Sequence, residues 1–186
     1  KPDVLQQVEH GVLSILGGYE NLGRLYRGII CNSLRQYVML GDASSMTDDL
    51  KYNPNLEADE RTATESGKLD DRFVFTQENP GREYRAIQGL AAAARVLKGF
   101  NDDLAGRCRK AAVELYDRKQ DYDASSSKVQ AAVELFLTTD NEKYKNDLLA
   151  MEEVIVKNIN STGREMARVW DSFHDTGFKN TLSSDY

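Results

Sequence analysis

The chain has 186 residues, 40% of them hydrophobic, with a formal net charge of −6 and a pI near 5.0. That length is enough for one domain with a true core, and the acidic balance argues against nucleic acid as a partner, since a phosphate backbone needs a basic surface. No apolar run approaches membrane-spanning length, so no membrane insertion is expected.

In chain order, residues 1–18 predict an amphipathic helix, with Val4, Leu5, Val8, Val12, Ile15 and Leu16 at helical spacing, Pro2 in the first turn and Gly17-Gly18 as its stop. From Asn21 to Leu40 the pattern is mixed: Leu22, Leu25, Tyr26, Ile29 and Ile30 suit a helix, whereas Tyr37–Leu40 suits an extended run equally well. Residues 41–81 read as a long polar loop rich in Asp, Ser, Thr, Asn and Glu, with disorder as the competing reading. Its aromatics Tyr52, Phe73 and Phe75 point to order in the second half.

Helices then dominate. Tyr84, Ile87, Leu90, Ala91, Ala94 and Leu97 predict a helix over 82–98, stopped by Gly99-Phe100-Asn101, with Asn101 capping the next. That next helix carries Leu104, Cys108, Ala111, Ala112 and Leu115 to about Asp117. Ser125–Ser127 precede a helix with Val129, Ala132, Val133 and Phe136, and Thr139-Asp140 break it. Tyr144, Leu148, Met151 and Ile155 mark a further helix, Asn158–Thr162 a gap, and Met166, Val169, Trp170 and Phe173 a last one. Short turns between helices make neighbours antiparallel hairpins. RVLKGFNDDLAGRCRKAAVELY and ELFLTTDNEKYKNDLLAMEEVI echo each other as helix end, acidic turn and helix, the mark of a stacked αα array, open or closed. The small side chains of Leu90–Ala94 let such a helix be approached on more than one side, as an inner helix requires.

The chemistry-bearing residues are sparse. Cys31 and Cys108 make no disulfide framework and read as buried thiols. His10 and His174 have no Cys or His at ligand spacing, so no metal and no cofactor is expected. Among the adjacent carboxylates, Asp102-Asp103 reads as a helix start and Glu152-Glu153 as a solvated helix face. Asp70-Asp71 differ in their company, Arg72, Phe73 and Phe75: a guanidinium can hold a hydroxyl or carboxylate, and a flat ring can stack on a sugar. The competing reading is an Asp–Arg pair pinning a loop over two core phenylalanines. Arg24, Arg27 and Arg35 lie in a basic, aromatic stretch with Tyr26 and Tyr37, suited either to an anion or glycan or simply to a charged surface.

The segments LGRLYRGIICNSLRQYVMLGDASSMTDD and DDRFVFTQENPGREYRAIQGLAAAARVLKGFNDDLAGRCRKAAVELY resemble the catalytic domain of glycoside hydrolase family 9, the endoglucanase and cellodextrinase family, in its gut-bacterial form. The shared features are a Gly-Asp before a polar loop, Pro-Gly ahead of an Ala-rich helix, an Asp-containing turn and a second helix. The resemblance implies an (α/α)6 toroid, a periplasmic or extracellular bacterial location, and inverting hydrolysis of β-linked glucans or related plant polysaccharides by an aspartate base and a glutamate acid. The family's Asp-x-x-Asp base motif and its acid glutamate have no counterpart in this sequence, so no catalytic residue is assigned. Asp71, Arg72, Phe73, Tyr26 and Tyr37 are the implied substrate-binding residues.

The expected fold is therefore all-α, with αα-hairpins forming part of a toroid and residues 1–186 forming the middle portion of a larger single domain. The expected partners are an oligo- or polysaccharide and a further part of the same polypeptide, or a neighbouring chain, that covers apolar helix faces. Two other readings compete: a helical-repeat scaffold that binds proteins, and another (α/α) barrel enzyme such as a uronic-acid lyase or sugar epimerase.

Overall fold

The computed structural model describes residues 2–31, 50–68, 72–75, 78–118, 122–174 and 176–185, with the side chains of 29–31, 51, 72–75, 176 and 185 outside that description. Its architecture is predominantly helical, and strands occur only as short two-stranded pairs among the described residues. Two compact units are distinguished, one of Lys1–Gly17 with Asn79–Tyr186 and the other of Gly18–Glu78.

Helix α1, Pro2–Leu22, does not stop at Gly17-Gly18 as expected. A helical glycine costs only about 1 kcal/mol relative to alanine, so the pair weakens the helix without ending it. The stop is Gly23, in the left-handed region at φ +67°, whose N–H donates to the Tyr19 carbonyl at 2.8 Å. Gly18 is needed for a different reason. A Cβ there would lie 2.1 Å from Cδ1 of Tyr26, so the missing side chain is what admits the ring.

The helical option for Ile29 and Ile30 is also corrected, because Gly28–Cys31 forms strand β1. It pairs antiparallel with a strand of Arg72–Phe75, in the register Ile29↔Val74 and Ile30↔Phe73. β-branched and aromatic residues favour such a ladder once a partner strand exists. Between them lie β2 (Lys51–Tyr52) and β3 (Glu65–Ser66), paired in parallel, so Arg72–Phe75 is β4. The described part of the expected 41–81 loop is thus hydrogen-bonded structure: Asn53 N–H donates to the Ser66 carbonyl at 2.8 Å, and Gly67 N–H to the Glu60 carbonyl at 3.0 Å. A Cβ at Gly67 would meet the Glu57 carbonyl oxygen at 1.8 Å. Residues 41–49, with Asp48-Asp49, lie outside the described residues, as does the Tyr37–Leu40 run.

Helix α2, Pro80–Leu97, follows the sequence closely. Asn79 Oδ1 accepts from Arg82 N–H at 2.9 Å, and Pro80 fits the first turn. Its buried residues include Tyr84, Ile87, Leu90, Ala91, Ala93, Ala94 and Leu97, too broad a set for one contact stripe. The reason is that α2 packs against both α3, Asp102–Arg118, and α4, Ser126–Thr139. Alanines on its two flanks let both neighbours approach, and α4 answers with Ala131 and Ala132, each fully buried. A buried leucine such as Leu90 contributes about 2 kcal/mol or more. Asn101 caps α3 as expected, its Oδ1 accepting from Leu104 N–H at 3.1 Å. Its Nδ2 also donates to Glu9 Oε1 of α1 at 2.7 Å.

After α4, Asp140 takes a left-handed conformation, φ 53°, and Asn141 caps α5, Glu142–Ala150. The single helix expected over Tyr144–Ile155 is in fact divided at Met151 into α5 and α6, Glu152–Lys157. Met151 N–H donates to the Leu148 carbonyl at 3.1 Å in a tightened turn, and the offset keeps Leu148, Met151 and Ile155 all buried. The expected gap at Asn158–Thr162 is mostly helix: α7 runs Ile159–Ala167. Asn158 Nδ2 donates to the Val154 carbonyl at 2.8 Å and Thr162 Oγ1 to the Ile155 carbonyl at 3.0 Å. The polar residues join the two helices by bonding the carbonyls that the break leaves open. A 3₁₀ turn at Trp170–Ser172 replaces the last expected helix, and α8, Thr176–Asp185, follows, burying Phe178 and Leu182 one turn apart.

The helix contacts alternate in a regular way. α2 lies on its successor α3 and on α4, and α4 lies on its successor α5 and on α7. Helices α2, α4 and α7 thus make one row, with α5 attached to α4, and α3 attached chiefly to α2 but also to α4.

Candidate functional site

The sequence-derived binding residues lie in the Gly18–Glu78 unit, and the structure describes them unequally. Asp71 and Tyr37, with Arg35, lie outside the described residues. Arg72 and Phe73 occupy the first positions of β4, opposite Cys31 and Ile30 of β1. Tyr26 is half-buried, its ring seated against Gly18, so it has a structural duty in holding the chain against α1. Arg24 and Arg27 are exposed.

The other residues singled out in the sequence are simply placed. Cys108 is fully buried and takes no part in a disulfide, whereas the Cys31 side chain lies outside the description. Asp102 and Asp103 open α3, where Asp102 Oδ1 accepts from Gly99 N–H at 2.8 Å. Glu152-Glu153 lie in the first turn of α6, Glu152 half-buried and Glu153 exposed. Among the described residues no group of three or more His, Cys, Asp or Glu could hold a metal ion, and no helix is long and apolar enough to cross a membrane.

The row α2–α4–α7 carries a polar seam with no local signal along the chain. Gln88 Nε2 on α2 donates to Ser127 O and Gln130 Oε1 on α4, each at 3.2 Å, and Gln130 Nε2 donates onward to Ser161 O on α7 at 3.0 Å. Further along, Arg95 Nη1 donates to the Glu134 carbonyl at 2.9 Å, and Arg95 and Arg168 both bond the Glu134 carboxylate. Burial pushes that carboxyl up, but the two guanidinium groups outweigh it and hold Glu134 below the usual carboxylate range. The seam is thus a charged joint fixing the row. These contacts join positions 39 residues apart or more along α2 and α4, beyond the reach of any local pattern.

At the opposite end of α2 the tyrosines cluster. The rings of Tyr84 and Tyr116 are 6.2 Å apart, those of Tyr116 and Tyr144 5.3 Å, both edge to face. Tyr116 Oη donates to Asp147 Oδ2 at 3.1 Å. Burial, reinforced by the Asp117 and Asp147 charges, pushes the Tyr144 phenol up to about 12, and burial and Asp147 push Tyr116 higher still. These phenols are packing groups locked in their protonated form.

Among the described residues, grooves open on the helical unit. One, of about 500 Å³, lies between α7, the 3₁₀ turn and α8, with Trp170, Met166 and Leu182 as apolar lining and Arg164 and Asp171 among its polar residues. The Lys179 ammonium sits 5.0 Å from the centre of the Trp170 ring. The other, of about 460 Å³, lies between the C-terminal end of α2, the first half of α3 and the end of α4.

No protein-family model matches the chain, and neither a curated protein nor a solved structure is significantly similar to it.

Proposed function

We propose that this chain is part of a secreted or periplasmic glycoside hydrolase of the (α/α) toroid type, similar to family 9, and that it contributes glucan-binding surface rather than the catalytic carboxylates. The observation that carries the reading is the row of α2, α4 and α7 with neighbouring helices packed along it. A row of α2, α4 and α7 with α3 and α5 hung on its members is the packing that an inner and outer layer of hairpins requires. The Ala-rich stretch of α2, buried on two sides, supports the same reading. Val4 and Leu13 on α1, and Val96 and Phe100 beside α2, are exposed apolar side chains that a further segment of the toroid would cover.

In this reading Asp71, Arg72, Phe73, Tyr26 and Tyr37 supply the glucan-binding wall. Titration calorimetry of the chain with cello-oligosaccharides tests this. Binding without turnover of an aryl-cellobioside is the expected result, and Phe73→Ala should weaken it about tenfold, the loss of about 1.4 kcal/mol. Absence of binding, or turnover that survives rigorous purification, would overturn the proposal.

A further inference from the structure

The groove between α2, α3 and α4 has a floor of small and apolar side chains, Ala94, Ala105, Gly106 and Leu137, and a charged lip of Arg95, Lys98, Arg109 and Asp102. The lip is unusual in this acidic chain of net charge −6. Most cations nearby are neutralised: Arg95 by Glu134, Arg107 by Asp103 at 3.9 Å, Lys110 by Glu114 at 3.9 Å, and Lys143 by Asp117. Lys98 and Arg109 differ, since neither forms an ion pair or hydrogen bond among the described residues. Arg109 follows Ala105 and Gly106 on the same stripe of α3, so no carboxylate stands one turn before it. Two cations of one sign lining one groove, Lys98 at the C-cap of α2 and Arg109 on α3, repel one another until an anion enters.

The remaining groups define what else the anion must carry. Arg95 is fixed by Glu134 and Thr138 and forms a rigid wall rather than a mobile arm. Asp102 uses Oδ1 to accept from Gly99 N–H, which leaves its second oxygen as an acceptor at the lip. A bare inorganic anion would satisfy the cations but would be repelled by Asp102 and would leave most of about 460 Å³ unfilled. A ligand with a carboxylate at one side and hydroxyl donors at the other satisfies both.

We propose that this groove binds a hydroxylated carboxylate of the hexuronate type, its carboxylate held between Lys98 and Arg109 and a hydroxyl donating to Asp102. The site is separate from the glucan-binding wall proposed above and needs no catalytic activity. Titration calorimetry of the chain with digalacturonate, cellobiose and sodium sulfate, at low and physiological salt, tests it. Digalacturonate should bind at least about tenfold more tightly than cellobiose when cellobiose is confined to this groove by competition, and more weakly as salt rises. Lys98→Gln and Arg109→Gln, both at exposed positions and therefore expected to fold normally by circular dichroism, should each weaken digalacturonate about tenfold while leaving cello-oligosaccharide binding unchanged. Equal affinity for both disaccharides in the groove, indifference to either substitution, or displacement by an equal concentration of sulfate would each overturn the assignment. Loss of cello-oligosaccharide binding alone would count against the glucan-binding wall and leave this groove standing.

Discussion

The α2–α5 region and the Gly18–Glu78 unit are built by opposite means. In the first, each helix has local instructions, a capping Asn or Ser and apolar residues at helical spacing, and Gly99 and the left-handed Asp140 mark the ends of α2 and α4. In the second, β1 pairs with β4 across more than forty positions of chain, and β2 with β3 through a turn network centred on Thr62, Glu65 and Gly67. The helices gain most from burying side chains, whereas the strand pairs depend on particular backbone approaches. Substitutions should therefore act through volume in one region and through main-chain geometry in the other.

The largest expected effect tests the volume side. Leu90→Ala removes a fully buried side chain between helices and should cost about 3 kcal/mol, read by urea unfolding followed by circular dichroism. A loss under about 1 kcal/mol would mean that α2 is not crowded on two sides as its alanines indicate.

Gly67→Ala tests the other side. The added methyl would collide with the Glu57 backbone, which has no flexible end to swing away, and a cost of about 2 kcal/mol is expected. Proteolysis should show new cleavage within residues 50–68 while amide exchange in α2–α4 stays slow. Uniform loss of protection would break the distinction between the regions.

Glu134→Gln sharpens the role of the polar seam. The fold holds the Glu134 carboxyl below its ordinary value, so its stabilisation is complete above about pH 4.5 and is lost as pH falls through the lowered value. The wild-type chain should lose stability over that acid range more steeply than the variant. At neutral pH the variant should be weaker by about 2 kcal/mol, since hydrogen bonds to two guanidinium groups are lost. Parallel acid unfolding curves for both proteins would show the seam to be incidental.

The smallest effect belongs to a cap. Asn141 Oδ1 accepts from Lys143 N–H at 3.0 Å, and Asn141→Ala should cost about 1 kcal/mol, visible as a shift of the thermal midpoint with α2–α4 otherwise unchanged.

What was legible in the sequence follows from range. The extents of α2 and α3, the cap at Asn101 and the burial of Leu90–Ala91 and Cys108 rest on residues within a turn or two of each other, and periodicity reports them. The misreadings share a cause. Gly17-Gly18, Met151 and Asn158–Thr162 resemble stops locally, yet α1 passes through the first, the second only offsets a helix, and side-chain bonds to open carbonyls close the third. Ile29 and Ile30 became strand because β4 supplies the partner, which no window around them contains. α8 carried a legible signal in Phe178 and Leu182, one turn apart after Phe173.

The candidate sites divide in the same way. The aromatic, charged composition around Asp71, Arg72 and Phe73 can be read from the sequence alone, because it is a matter of neighbours along the chain. The seam through Glu134 and the groove of Lys98 and Arg109 cannot, because each unites side chains from different helices. The sequence by itself determined the extents of helices such as α2 and α3 and the residues they bury, since backbone hydrogen bonding and helical spacing are local. Only the tertiary structure decided which cations are neutralised and which are left open, since a charge's partner is fixed by distance through space rather than along the chain.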